Sequence, residues 1–214
     1  MVDKSTTTHK RVDGRAARAR ATRARILNAA TELFATGGYA TTSIEAIAGA
    51  AGVGVQTVYY TFGTKRAILT AALDQAIAGD DEPVSTLDRP WAVAALATAD
   101  PGEQLRQQVD GAAAIYARAV TLLDVVRSAA ATDPDLAQVW RTNIEQRRAV
   151  QRVFAEALAR KTPLRNGMSV EEAADIALAV LSPETYRLLV NDCGWSEDRW
   201  RAWATDALVR QLID

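Results

Sequence analysis

With 214 residues, 49% of them hydrophobic and 24% charged, the chain can hold one mid-sized domain or a small domain joined to a larger one; no apolar run nears the roughly 18 residues of a membrane span and no secretory signal opens it, so a cytoplasmic protein with no membrane partner is expected. The single cysteine, Cys193, excludes an intrachain disulfide, and the single histidine, His9, sits in a polar leader, which removes Ser/His/Asp and Cys/His catalysis and most zinc sites; no catalytic residue, metal or cofactor is expected, and no enzyme. The net charge is only -1, but it is segregated: residues 1–66 hold ten Lys/Arg against four Asp/Glu and residues 67–214 fifteen against twenty-two, the pattern of an N-terminal module that meets a polyanion and a body that does not.

The leader, residues 1–21, opens a basic run of Lys10, Arg11, Arg15, Arg18, Arg20, Arg23 and Arg25 relieved only by Asp13. It reads equally as a solvated helix face, a tail, or an arm laid on a polyanion. Ile26, Ala30, Leu33 and Phe34 then fall at i, i+4, i+7 and i+8, the apolar face of a first helix that Gly37-Gly38 ends. "TSIE", Thr42 to Glu45, reads as a capping box with the Thr42 hydroxyl accepting from a first-turn amide. The second helix carries Ile44, Ile47, Ala48 and Ala51 inward and stops at Gly52. A third runs from about Gly54 to Phe62, with Val58 and Phe62 inward and Gln56, Thr57, Tyr60 and Thr61 outward. Its adjacent tyrosines, Tyr59 and Tyr60, point about 100° apart and cannot share one core. Thr64 caps a fourth helix whose first-turn Lys65 and Arg66 oppose the helix dipole, a placement that suits a nearby anion.

The rest of the chain is also helical. Residues 79–99 open on "GDDEP" and contain Pro90, which predicts an irregular connection. Asp100-Pro101 and Asp133-Pro134 are cap-proline starts; the first continues in apolar stretches to about Ala131, and the second opens a helix to about Lys161. That helix bears Trp140, Ile144 and the basic cluster Arg147-Arg148-Arg152, read as a solvated face. Further starts stand at Ser169 with Glu172, Ser182 with Pro183, and Ser196 with Glu197. The last helices have broad apolar faces that need a cover, either the chain's own body or another subunit.

A short helix, a glycine turn and a second short helix with small polar and aromatic residues outward form a helix-turn-helix. Residues 22–70, from "TRARILNAATELF" through "TVYYTFGTKRAILT", resemble the DNA-binding domain of the tetracycline-repressor (TetR) family of transcriptional regulators. The matching residues are Ile26, Leu27, Ala30, Leu33, Phe34, Gly38, Thr41-Thr42, Ile47-Ala48, Ala51-Gly52-Val53, Thr57-Val58-Tyr59, Phe62 and Lys65. The resemblance implies an all-α chain: a three-helix helix-turn-helix domain over 22–78 and a larger helical effector-binding and dimerisation domain over 79–214. It places Val55 to Thr61 in the major groove, with Gln56 and Thr57 nearest the bases, Tyr60 on a base or phosphate, and Tyr59, Thr42, Ser43 and Lys65 on the backbone. Arg18, Arg20 and Arg23 of the leader would add phosphate or minor-groove contacts. Two positions depart from the family pattern: Gly54 stands where a capping Ser or Thr is common, and Thr61 where His is common. The resemblance further implies a homodimer joined through residues 169–181 and 196–213, with Ile176, Val180, Trp200, Trp203 and Ala207 at the joint. Tyr116, Trp140 and Asn143 are its candidate ligand contacts. The implied function is a repressor released from a palindromic double-stranded DNA operator by a small-molecule effector. The other readings are an architectural DNA-binding protein with no effector and an enzyme with a DNA-binding appendage.

Overall fold

The computed structural model describes residues 5–80 and 84–213, with side chains from residue 16 onward. His9, Lys10, Arg11, Asp13 and Arg15 thus fall outside the described side chains, and Asp81 to Pro83 of the "GDDEP" stretch outside the described residues. The chain divides into two units, Met1–Ala72 and Leu73–Asp214. Both are helical; among the described residues the only extended pairing is one bridge between Leu164 and Ile213. No helix among them is long and apolar enough to cross a membrane.

The first unit contains α1 (Ser5–Thr41), α2 (Ile44–Ala51), α3 (Val55–Phe62) and the start of α4 (Lys65–Ala78), which continues into the second. α1 begins inside the segment read as a basic arm, where Ala16, Ala17, Ala19 and Ala21 favour helix at low entropic cost. It breaks where glycine was expected to end it, at Gly38 (φ 75°, ψ 178°), a conformation other residues adopt only under strain. The chain re-enters helix one residue later than "TSIE" suggested. Ser43, not Thr42, is the cap of α2, its hydroxyl accepting from Ala46 N at 3.1 Å. The Thr42 hydroxyl is turned inward and donates to Gly38 O at 2.8 Å and Leu33 O at 3.2 Å. The kink at Gly38 exposes those carbonyls, and Thr42 is the hydroxyl close enough to satisfy them. α2 ends at left-handed Gly52, and Val53 N donates to Ala48 O at 3.0 Å to close the turn. Thr64 caps α4 as expected, accepting from Ala67 N. The core comprises Ile26, Leu27, Ala30 and Phe34 of α1, Ile44, Ile47 and Ala48 of α2, Val58 of α3, and Ile68 and Leu69 of α4. Each full-sized member contributes about 1.5–3 kcal/mol by leaving water.

The second unit holds α5 (Pro90–Ala97), α6 (Pro101–Ala129), α7 (Pro134–Ala159), α8 (Val170–Val180), α9 (Pro183–Tyr186), a π-helical turn over Arg187–Asp192, and α10 (Glu197–Leu212). α5 corrects the expectation of an irregular connection: Pro90 occupies the first helical turn, where its missing N–H costs nothing, and so begins a helix rather than preventing one. The caps at Asp100, Asp133, Ser169 and Ser196 form as read, with a reciprocal capping box between Ser169 and Glu172. α6 is the central helix, packed by α5, α7, α9 and α10. Its Tyr116 donates to Leu181 O and meets Tyr186 and Trp200 at ring centroid distances of 5.5 and 6.3 Å. Trp200 is fully buried in this cluster, so it belongs to the monomer's own core and not to the surface of a subunit joint. The end of α5 is held by Lys161, whose ammonium donates to Leu96 O at 3.1 Å and to Gln104 Oε1 at 2.5 Å.

At Gly111 of α6 the Trp91 ring lies directly against the helix backbone. A Cβ placed there would lie 2.3 Å from the Trp91 ring, which is itself stacked on Phe154 at 6.1 Å. Gly111→Ala gains up to about 1 kcal/mol of helix propensity but drives an overpacked contact costing about 1–3 kcal/mol. A net loss of stability is expected in urea unfolding; a more stable variant would show that Trp91 moves aside freely.

Candidate nucleic-acid interface and interior cavity

α3 has only eight residues, bounded by Gly54 and Gly63, and no charge. At about 100° per residue, Gln56 and Tyr60 lie on the side of the helix opposite buried Val58, and Thr57 and Tyr59 flank them. The exposures agree: Val58 is 0%, Tyr59 44% and Tyr60 93%. Tyr60 thus projects from the domain almost entirely, whereas Tyr59 rests partly on it. Gln56 and Thr57 are exposed and Val55 is half-buried. The Thr61 hydroxyl is used within the helix, donating to Thr57 O at 2.7 Å. What α3 offers outward is therefore an amide, a hydroxyl and two phenols, neutral groups suited to base edges and phosphate oxygens.

The charge lies around this helix. Lys65, at the first turn of α4, donates to Tyr39 O at 2.7 Å and sits 4.3 Å from the centroid of the Tyr39 ring. That anchor explains how a cation is tolerated at a helix N-terminus, where the dipole opposes it. Arg23 of α1 lies 4.5 Å over the Phe62 ring and so fixes the end of α3 against α1. Arg18, Arg20 and Arg25 are exposed on the same helix, and Ser43 is exposed at the cap of α2. Thr42, at 5% exposure with its hydroxyl committed inward, cannot present that hydroxyl to a phosphate.

The second unit contains a cavity of about 120 Å³ beside α6 and α7. Tyr116 and Asn143, two of the three sequence candidates, both line it. Trp140, the third, lines a separate cleft of about 260 Å³ with Asp124, Arg127, Glu184 and Arg187. The 120 Å³ cavity is walled by Trp91, Phe154, Ile115 and Val150 and carries Gln108, Gln151 and Arg147. Gln108 donates to Gln151 Oε1 at 2.5 Å, and Arg147 Nε donates to Asn143 Oδ1 at 2.9 Å. Burial pushes the Tyr116 hydroxyl up to about 12, so it stays a neutral donor. An adjoining chamber of about 530 Å³ shares Ile77, Trp91, Ile115 and Val150 with it. Trp91, Gln108, Arg147 and Gln151 were missed from sequence, although one signal was available. Gln104 and Gln108 interrupt the apolar stripe of α6 at i, i+4, and polar groups in such a stripe must be paired or face a cavity.

Ile176, Val180, Trp203 and Ala207 are half-buried on α8 and α10, where Trp203 meets Trp195 edge to face at 6.3 Å.

Residues 26–72 match the model of a family described as bacterial regulatory proteins, tetR family. Among solved structures, the fold is similar to a protein from Mesorhizobium loti MAFF303099 assigned as a tetR-family transcriptional regulator, at 20% identity over 90% of this chain and 96% of that one, with a TM-score of 0.70. It is similar to a TetR transcription regulator from Haloarcula marismortui ATCC 43049, at 20% identity, 89% and 98% coverage and a TM-score of 0.66. A protein from Saccharomonospora viridis assigned as a transcriptional regulator, solved in complex with choline, matches at 20% identity, 90% and 97% coverage and a TM-score of 0.68. No curated protein sequence matches the chain. Residues 26–72 thus carry the tetR-family match, and the all-helical fold is that seen in solved transcriptional regulators of that family.

Proposed function

We propose that this protein is a homodimeric repressor that binds a palindromic DNA operator through α3 and leaves it when a small molecule occupies the cavity of the second unit. The observation that carries the reading is the placement of Gln56 and Tyr60 opposite Val58, with Tyr60 93% exposed on a helix too short to need it for packing. Gln56 can bond adenine through two hydrogen bonds, and Thr57 can meet a thymine methyl. Tyr59, Ser43 and Lys65, with Arg18, Arg20 and Arg23, supply contacts to the phosphate backbone, which set register and salt dependence rather than sequence. Thr42 leaves this set, and its place passes to Ser43.

Half-buried Ile176, Val180, Trp203 and Ala207 support a two-fold joint through α8 and α10, which would set two copies of α3 on successive half-sites. The cavity supplies the effector site, lined by aromatic and amide side chains. Choline, the ligand of the Saccharomonospora viridis structure, is not carried over, because the Arg147 guanidinium lines this cavity and would repel a cation. No catalytic role is assigned, and the expected site of action is the cytoplasm.

Selection of the purified protein against a random duplex library at near-physiological salt is expected to enrich a palindrome. Binding without enrichment would replace the repressor by an architectural DNA-binding protein, and no binding even at low salt would defeat both. On the selected site, Gln56→Ala should lose about 1–3 kcal/mol of discrimination at one base pair per half-site. Lys65→Ala should weaken all sequences alike and lower the salt slope by about one per subunit. Fluorescence anisotropy over single-base operator variants at several salt concentrations separates the two, and equal effects of both substitutions on every sequence would reject the division of labour. Tyr60→Ala should change unfolding stability by no more than about 0.5 kcal/mol while lowering specific affinity at least several-fold. Unaltered affinity would show that the exposed phenol does not touch DNA.

A further inference from the structure

Sequence placed three arginines, Arg147, Arg148 and Arg152, on one stretch of α7, and the structure separates them. Arg148 is paired with Asp175 at 2.7 Å, and Arg152 with Glu156 at 3.1 Å. Arg147 turns the other way. It is half-buried, lines the cavity, and is in no ion pair among the described residues. Its contacts are the Asn143 amide oxygen and the Trp140 ring at 5.4 Å, and its charge lies close enough to the Tyr116 hydroxyl to act on it. None of the fourteen residues lining the cavity is acidic. A half-buried guanidinium facing such a cavity is a cation that no cavity-lining carboxylate meets.

The opposite chemistry lines the rest. Trp91 and Phe154 stack with their ring planes only 9° apart, and Gly111 admits the Trp91 ring against α6 where any Cβ would block it. Ile115 and Val150 complete an apolar wall. At about 120 Å³ the space is of the order that holds one benzene-sized ring, for which a cavity of about 150 Å³ is known to serve. The larger chamber beyond, lined by Asp74 as well as Arg89 and Arg118, leaves room for a substituent.

We infer that the cavity takes a small aromatic carboxylate, its carboxylate on the Arg147 guanidinium and its ring on the wall of Trp91 and Phe154. The assignment rests on the reading of this cavity as the effector site and names the chemistry of what enters it. Arginine holds a carboxylate through two parallel hydrogen bonds, so the acid is selected over its neutral amide and over any cation.

Isothermal titration of the full chain with benzoate and phenylacetate, with benzamide and phenylacetamide as neutral counterparts, and with benzylamine as the cation tests this. The acids should bind roughly ten-fold or more tightly than the amides, the step that one charge-assisted pair commands, and benzylamine most weakly. Arg147→Gln should erase the preference for the acid, Arg147→Lys should keep part of it, and Arg148→Gln should leave it intact. Thermal melts of each variant show that the fold survives. The inference is overturned if the amides bind as well as the acids, if benzylamine binds best, if Arg147→Gln keeps the preference, or if neither acid binds. Titration of the selected operator complex separates this result from the regulator reading. Acid binding without loss of DNA affinity upholds the ligand class and rejects effector release. Palindrome binding with no preference for the acid rejects the ligand class and leaves the regulator standing.

Discussion

An eight-residue helix is too short to form on its own propensity, and both α2 and α3 have eight residues. Their existence depends on burial and on the turns at their ends. α2 is held by the Ser43 cap, the left-handed turn at Gly52, and the burial of Ile44, Ile47 and Ala48; α3 has no side-chain cap and is held by Val58 and by the Arg23 guanidinium over Phe62. Because so little of α3 is needed for packing, most of it is free to face outward. The same economy that makes the helix marginal alone leaves Tyr60 almost wholly exposed.

The second unit solves a different problem. α6 is packed by α5, α7, α9 and α10, so its buried polar groups have no water to fall back on. Gln104 is met by Phe154 O and Lys161, Gln108 by Gln151, and Tyr116 by Leu181 O. These bonds tie the helices to one another at fixed heights, which packing of alanine and leucine alone would leave free to slide. Burial holds the Lys161 ammonium below the usual lysine range, the cost of anchoring the end of α5 from inside. Arg147 is a cation on the cavity wall that no lining carboxylate meets.

Local features were legible in the sequence and tertiary choices were not. The stops at Gly38 and Gly52 and the starts at Asp100, Asp133, Ser169 and Ser196 depend on residues within a few positions, and they stand where the pattern put them. Thr42 and Ser43 were equally competent caps; which one capped was decided by the carbonyls that the Gly38 kink exposed. Pro90 was ambiguous for the same reason, since proline both ends helices and begins them. Trp200 and Trp203 share helical spacing, and the pattern marks an apolar face without saying what covers it. Trp200 meets Tyr116 and Tyr186, 84 and 14 residues away in sequence, a neighbourhood no local pattern encodes. Arg147 and Arg148 differ by one helical step and therefore by about 100° of direction, which sends one to the cavity and the other to Asp175.

α4 carries residues of both units. It is one uninterrupted helix over Lys65–Ala78. At its first turn Lys65 is fastened to Tyr39; near its last turn Ile77 lines the cavity, and the Ala76 and Ile77 carbonyls accept from Arg118 at 3.1 and 3.2 Å. A ligand that displaces Ile77 would act on the last turn of α4. Continuity of a helix transmits nothing by itself, however. Release requires that the ligand bind one placement of α4 more tightly than the other, and the coupling can be no larger than that difference. A ligand held on α7 by Arg147 and pressed against Ile77 of α4 meets that requirement only if its size forces the two apart. The charge of the ligand would then decide whether it binds, and the width of its ring whether DNA is released.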